Sequence, residues 1–193
     1  MAVDATKVLV GTPDQTTTGA IMSAPLATAA PTTAVDVLDP GFGDSGFVSE
    51  DGLELAPDIT TAKFKDWSGA TVREVLEQFD GTIKWAHLET NEASLENYFG
   101  EDHVEVTAAD GTHGNQVAAK MGAYDLPRKS WVFKMKDGDT RILIYVPIGQ
   151  ITKREAIQFR KGQPIAWGVT LTAYPDGTNN AIYFFTDDGQ IVV

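Results

Sequence analysis

Residues 130–149 read SWVFKMKDGDTRILIYVPIG, and apolar side chains recur in them at every second place. Trp131, Phe133 and Met135 alternate on the way in, and Ile142, Ile144 and Val146 on the way out. A period of two puts such residues on one face of a strand but scatters them around a helix, so they can be buried together only as β structure. Asp137–Gly138 between the two runs supplies a turn in which glycine accepts positive φ at no steric cost. The stretch is predicted to be a β-hairpin, and the fold must contain a sheet with a buried face.

The rest of the chain repeats the theme. PIAWGVTLTAYPDG places Ile165, Trp167, Val169 and Leu171 on one face and Ala166, Gly168, Thr170 and Thr172 on the other, with a turn at Pro175-Asp-Gly. AIYFFTDDG then closes the sheet, and TTAKFKDW and HVEVTA read as further strands. GFVSEDGLEL alternates around Asp51–Gly52, the signal of a second hairpin. TVREVLEQFD is ambiguous. Val72, Val75, Leu76 and Phe79 follow helical spacing, yet β-branched Thr71 and Val72 open the run and the strand-like GTIKWAHLET follows it. One short helix is predicted over EASLENYFG, capped by Thr90-Asn91, with Glu92 at its positive end and Gly100 to stop it. The class is therefore mainly β, a sandwich or barrel with one short flanking helix. Residues 1–40 are rich in Ala, Thr and Pro and bury little; they read as an extended N-terminal arm, with the β domain over 41–193.

The 193 residues suffice for one domain with a sizeable core plus an appendage. No apolar run is long enough to cross a bilayer, and MAVDATKVLVGTPD lacks a secretory pattern, so neither a membrane span nor a signal peptide is expected. Cysteine is absent, which excludes disulfides and thiol chemistry. The formal net charge of −12 argues against a dedicated nucleic-acid binder. The charge is also segregated. Between Val8 and Ala62 there are carboxylates but no Lys or Arg, whereas Lys120 to Lys161 carries ten basic residues against Asp125, Asp137, Asp139 and Glu155. Such segregation points to complementary surfaces, within one chain or between copies.

Chemistry is scarce. His103 and Glu105 share a strand face beside Asp102, but with His87 and His113 remote they do not make up the three or four converging ligands of a zinc site. Asp44, Glu50 and Asp51 are hard ligands suited to calcium, yet the D-x-D-x-D-G order is missing. There is no G-x-S-x-G, no P-loop and no G-x-G-x-x-G before a helix; GFGDSG follows a proline-rich arm instead of a strand. No catalytic set, metal or cofactor is expected, and the chain is read as a non-enzyme.

Four stretches in this order, FVSEDGLELAPD (47–58), HLETNEASLENYFGED (87–102), LPRKSWVFKMKDGDTRILIYVPIGQIT (126–152) and WGVTLTAYPDG (167–177), resemble the major tail tube proteins of long non-contractile-tailed, siphovirus-type bacteriophages, particularly those of actinobacteria. The similarity runs from about Val35 onward. It implies a tail-tube-type β-sandwich whose copies form homo-hexameric rings. The rings stack into a hollow tube, with strands of all subunits joined around the lumen and with a long loop and terminal arms linking rings. It further implies a place in the virion tail after synthesis in the host bacterial cytoplasm, and contact with tape measure, terminator and distal tail proteins. Viral DNA would pass through the lumen without specific binding, which suits an acidic wall. The family pattern puts residues 71–79 in a long strand. TKREAIQFRKG (152–162) is more basic than that pattern. On this reading Asp44, Glu50, Asp51, Glu54 and Asp58 lie on a ring-to-ring surface, and Lys153, Arg154, Arg160 and Lys161 of a neighbour face them. The competing readings are another phage β-sandwich, such as a capsid decoration or tail-terminator protein, and a carbohydrate-binding module using Trp67, Trp85, Trp131 and Trp167; Trp131 and Trp167, on apolar faces, read better as core.

Overall fold

The computed structural model of the chain describes residues 3, 7–15 and 18–191. The described residues form strands β1 (Thr12–Pro13), β2 (Ile21–Ala24), β3 (Gly43–Asp44), β4 (Glu54–Lys65) and β5 (Thr71–His87), then helix α1 (Glu92–Phe99). There follow β6 (Val104–Thr107), β7 (Gln116–Ala119), β8 (Arg128–Asp137), β9 (Thr140–Arg154), β10 (Trp167–Tyr174) and β11 (Tyr183–Asp187). The fold is mainly β, as the alternation requires. Nine strands make one open sheet in the order β3-β2-β8-β9-β10-β5-β4, with β1 beside β8 and β11 beside β9, while β6 and β7 form a separate ribbon. No helix among the described residues is long and apolar enough to cross a membrane.

The predicted hairpin is β8–β9, and it organises the sheet. β9 changes partner on one edge: Arg141–Tyr145 pair with β11, and Ile148–Arg154 pair with β10. The change falls at Pro147, which has no N–H to give a ladder. On the opposite edge the β8 register shifts between Lys129 and Trp131, and the Ser130 hydroxyl donates to the Pro147 carbonyl at 2.8 Å. The sheet turns over at this point. In a flat sheet β5 and β8, three strands apart, would lie roughly 14 Å from one another. Instead the ring of Trp85 on β5 lies 5.4 Å from that of Trp131 and 5.3 Å from that of Phe133 on β8.

The inner face so enclosed holds Ile83, Trp85, Val169 and Leu171 from one half and Ile21, Trp131, Phe133, Ile144 and Val146 from the other. Gly149 is required where the halves meet. A Cβ there would stand 2.8 Å from Trp131 Cδ1 and 2.9 Å from Leu171 Cδ1, closer than packed carbon atoms allow. Helix α1 closes one end. Asn91 and Ser94 cap it reciprocally, and Tyr98 and Phe99 pack edge-on against Trp167.

Three expectations meet the structure differently. Residues 71–79 are strand, bonded along their length to β4 in the register Phe79↔Ile59 and Val75↔Ala62. The Asp51–Gly52 turn exists, with Gly52 at φ 69° and its N–H donating to the Ser49 carbonyl. It does not join a hairpin, however. Val48 bridges to His87 and Glu54 pairs with Lys84, so the segments before and after the turn lie along the same edge of β5, and residues 50–53 bulge out between them. Turn chemistry fixes local φ, not the strand that each flank pairs with. Finally, within the span read as an arm, Ala20–Met22 and Ala24 are buried, and β2 is hydrogen-bonded to β8. Residues 25–42 cross the outer face, where Leu38 and Phe42 pack on Met22, Val132, Leu143 and Tyr145. Asp36 accepts from the N–H and hydroxyl of both Thr32 and Thr33, which fixes this crossing and holds its carboxyl well below the usual range. Residues 1–2, 4–6 and 16–17 of the arm lie outside the described residues.

His87 is fully buried. The Trp85 indole N–H donates to its Nε2 at 2.8 Å, so the neutral ring carries its proton on Nδ1, which has no partner. Burial pushes its pKa down from 6.5 to about 4. Between those values the unfolded chain binds a proton that the folded chain refuses, so stability falls as pH drops through the window. The full effect is about 3 kcal/mol. In urea titrations the stability gap between the wild type and His87→Gln should therefore narrow by that amount from pH 6.5 to pH 4. A gap independent of pH would show that His87 does not titrate on unfolding.

Candidate assembly surface

β5 plays two parts. Gly81–His87 pair with β10 on one side, and of these Gly81–Lys84 also pair with β4 on the other, whereas Thr71–Asp80 pair with β4 alone. Beyond Pro57 and Gly81 the β4–β5 hairpin therefore leaves the body as a two-stranded ribbon about 25 Å long. It carries Ile59, Phe64, Trp67, Val72 and Leu76, all more than half exposed. A lone ribbon is marginal in water, and one this apolar is a surface awaiting cover.

The ribbon continues into an open edge. β4 ends the strand order, so one side of its twelve residues has no ladder partner among the described residues. Pro57 is tolerated in this strand because edges spare a donor. At the far side of the same half-sheet, β8 reaches along β9 only as far as Arg128↔Gln150, and no described strand pairs with Ile151–Arg154 on that edge. The half-sheet β4-β5-β10-β9 thus has two incomplete edges.

These edges differ in charge. The register aligns Glu54, Lys84, Thr170 and Lys153 in one row across the four strands, and Ala56, Thr82, Thr172 and Gln150 in the next. Glu54 and Asp58 stand on the β4 edge; Lys153 and Arg154 stand at the β9 edge. The two edges lie roughly 14 Å apart. Lys153 is bonded to Glu155 at 3.0 Å and holds that carboxyl below its usual range, and Arg154 lies over the Tyr124 ring. The face between the edges is rich in hydroxyls: the Thr152 and Thr172 hydroxyls are 2.8 Å apart, and Tyr174 donates to Gln150 beneath the Arg128 guanidinium.

The other residues named from sequence are distributed as follows. Glu50 and Asp51 are exposed on the bulge before β4, and Arg160 and Lys161 are exposed on the loop after β9. Asp44 faces inward, accepting from the N–H groups of Gly19 (2.7 Å) and Gly46 (2.8 Å), so it stands apart from the other four acids. It is a structural acceptor, a role the acidic run could not reveal because one partner, Gly19, sits in the arm. The projecting ribbon was also missed. Its trace in the sequence is apolar side chains on both faces of a strand pair, at Phe64, Val72 and Leu76, beside Lys63, Lys65 and Arg73. Of the histidines, His103 stacks on Tyr124 and His113 lies by Asp110. Among the described residues no three His, Cys, Asp or Glu side chains converge on a point that could hold a metal.

A family model described as "Phage tail tube protein" matches residues 1–192. Among solved structures the chain is similar to the cryo-EM structure of the anti-feeding prophage cap, an AFP tube terminating cap. That likeness has 12% identity and a TM-score of 0.47, and it covers 97% of this chain and 100% of that one. No curated protein sequence matches significantly.

Because the ribbon beyond Pro57 and Gly81 pairs only with itself, removing it should spare the body. Replacing Thr60–Gln78 by a two-residue Asn-Gly turn should leave the subunit's melting temperature within a few degrees of wild type. Calorimetry checks this. A large fall would mean that the ribbon supports the core.

Proposed function

The chain belongs to the phage tail tube protein family, and from that premise we propose that it is the repeating subunit of the tube itself, in rings of six stacked into a conduit for genome ejection. Family membership makes it a structural component of the virion tail, not an enzyme. The observation that favours the repeating role is the half-sheet with two incomplete edges of opposite charge. An edge that differs from its counterpart makes a head-to-tail contact, and such contacts close into rings or run on as filaments. In this reading Glu54 and Asp58 of one copy lie beside Lys153 and Arg154 of the next, within a ring, and the joined sheets leave no free edge. This assigns the acidic strand to side-by-side contact, in place of the ring-to-ring contact expected for the whole acidic run.

The hydroxyl-rich face then lines the lumen. Threonines and glutamine offer a duplex no apolar grip, Lys84 and Lys153 on this face are both paired with Glu155, and the acidic chain repels phosphate at longer range. DNA passes without being held. The ribbon reaches beyond its own ring, and tape measure, terminator and distal tail proteins meet the tube at its ends or interior. Synthesis takes place in the host cytoplasm.

Each exposed ion pair contributes only on the order of a few tenths to one kcal/mol, repeated at every contact. The double reversal Glu54→Lys and Asp58→Lys should therefore impair assembly of a folded subunit, and adding Lys153→Glu and Arg154→Glu should restore it in part. Negative-stain images of concentrated protein should show long hollow rods for the wild type. Discrete particles of fixed size at every concentration would instead fit a terminator or decoration protein and overturn the tube reading.

A further inference from the structure

Two exposed turns carry charges that the single chain leaves unpaired. Adjacent basic residues occur at Arg128–Lys129, Lys153–Arg154 and Arg160–Lys161. The first two pairs are engaged: Arg128 by the Tyr174 ring, Lys129 by Glu101, Lys153 by Glu155 and Arg154 by the Tyr124 ring. Arg160 and Lys161 are exposed and have no ion-pair partner among the described residues, and the same holds for Glu50 and Asp51 on the bulge. Lys84 shares a surface niche with Asp51 but is paired with Glu155.

Each charged pair is held in a hydrogen-bonded turn next to an exposed phenylalanine. The Gly52 N–H donates to the Ser49 carbonyl across Glu50 and Asp51, and the Gln163 N–H donates to the Arg160 carbonyl across Lys161 and Gly162. Phe47 precedes the first turn and Phe159 the second, and both rings are more than half exposed. One surface is therefore aromatic and acidic, the other aromatic and basic. The turns are formed already, so little ordering entropy is lost when the two surfaces meet.

The topology turns these surfaces toward each other across copies. Every neighbouring pair in β4-β5-β10-β9 is antiparallel, so β4 and β9 run in opposite directions. The chain thus enters β4 and leaves β9 at the same end of the half-sheet, the end marked by the row Glu54, Lys84, Thr170 and Lys153. Within one chain the acidic turn and the basic loop stand at opposite edges, roughly 14 Å apart, and Ile157, packed against the core, holds the loop on its own side. Where the β4 edge of one copy meets the β9 edge of the next, the turn of the first and the loop of the second leave the joint side by side. We propose that Phe159, Arg160 and Lys161 of one copy clasp Phe47, Glu50 and Asp51 of the next. The proposal rests on the side-by-side joint of the tube reading. It gives that joint a second contact beyond the strand ladder and a use for the unusually basic segment 152–162.

The test uses the full chain. Arg160→Glu with Lys161→Glu should leave subunit melting unchanged, because both side chains are exposed, and should raise the concentration needed for assembly roughly tenfold. Adding Glu50→Lys and Asp51→Lys should bring that concentration back toward wild type. Wild-type particles are then assembled from a mixture of unlabelled and isotope-labelled copies. A carbodiimide should join the Lys161 amine to the carboxyl of Glu50 or Asp51, and mass spectrometry should find linked pairs that carry both labels. These results together support the clasp. Normal assembly of the reversed variant, rods without this link, or linked pairs that always carry a single label would overturn it while leaving the tube reading intact. Mixed-label links in discrete particles of fixed size would instead retain the clasp and reject the tube. Neither rods nor link at any concentration would reject both.

Discussion

A long β-strand with one edge unpaired among the described residues is the constraint on which this molecule turns. Among the described residues, β4 presents twelve residues of backbone along one side without a ladder. Proteins that remain single copies blunt such edges with bulges, short strands or inward charges. Here the edge carries Pro57 and the β4–β5 register shifts after Thr60 and Phe64, but the edge is long and runs into a ribbon with large apolar groups on display. A surface of this kind persists through selection when the finished object covers it. The net charge of −12 is the counterweight: it keeps free copies apart at long range, while local acid–base matching lets the correct edges approach.

The body exists to hold that edge in place. Pro147 lets one long strand serve two half-sheets, and the sheet turned over at that point encloses Trp85, Trp131 and Phe133 in one contact. Gly149 and the Ser130–Pro147 hydrogen bond fix how closely the halves approach. One half is covered on both faces, inside by the core and outside by residues 25–42. The other half is covered on its inner face only, and its outer face is the hydroxyl-rich surface between the two charged edges. The asymmetry makes a rigid anchor of one half and an assembly element of the other.

Much of the body was legible in sequence because its signals are local. The alternation of 130–149, the glycine of the Asp137–Gly138 turn and the Asn91–Ser94 cap each specify their geometry within a few residues. What escaped notice depends on distant partners. Ala20–Ala24 is too short to show a period, and its ladder lies on β8. Asp51–Gly52 turns the chain without saying that both flanks lie on β5. At the assembly surface, the acids and bases were visible as segregated runs, but composition could not separate Asp44, which caps two backbone N–H groups, from Glu54 and Asp58 on an open edge. Trp67 gave no sign of being the one exposed tryptophan, since only the projection of the ribbon makes it so.

The central claim is that the β4 edge is completed by another copy. Amide hydrogen exchange on β4 tests it most directly, compared between dilute subunit and assembled particle at equal pH and temperature. The account predicts that alternate amides of Glu54–Ile59, those pointing away from β5, exchange freely in the subunit and become protected to the level of the core strands on assembly, together with the amides of Ile151–Arg154. Assembled particles in which both sets exchange as fast as in the subunit would contradict it.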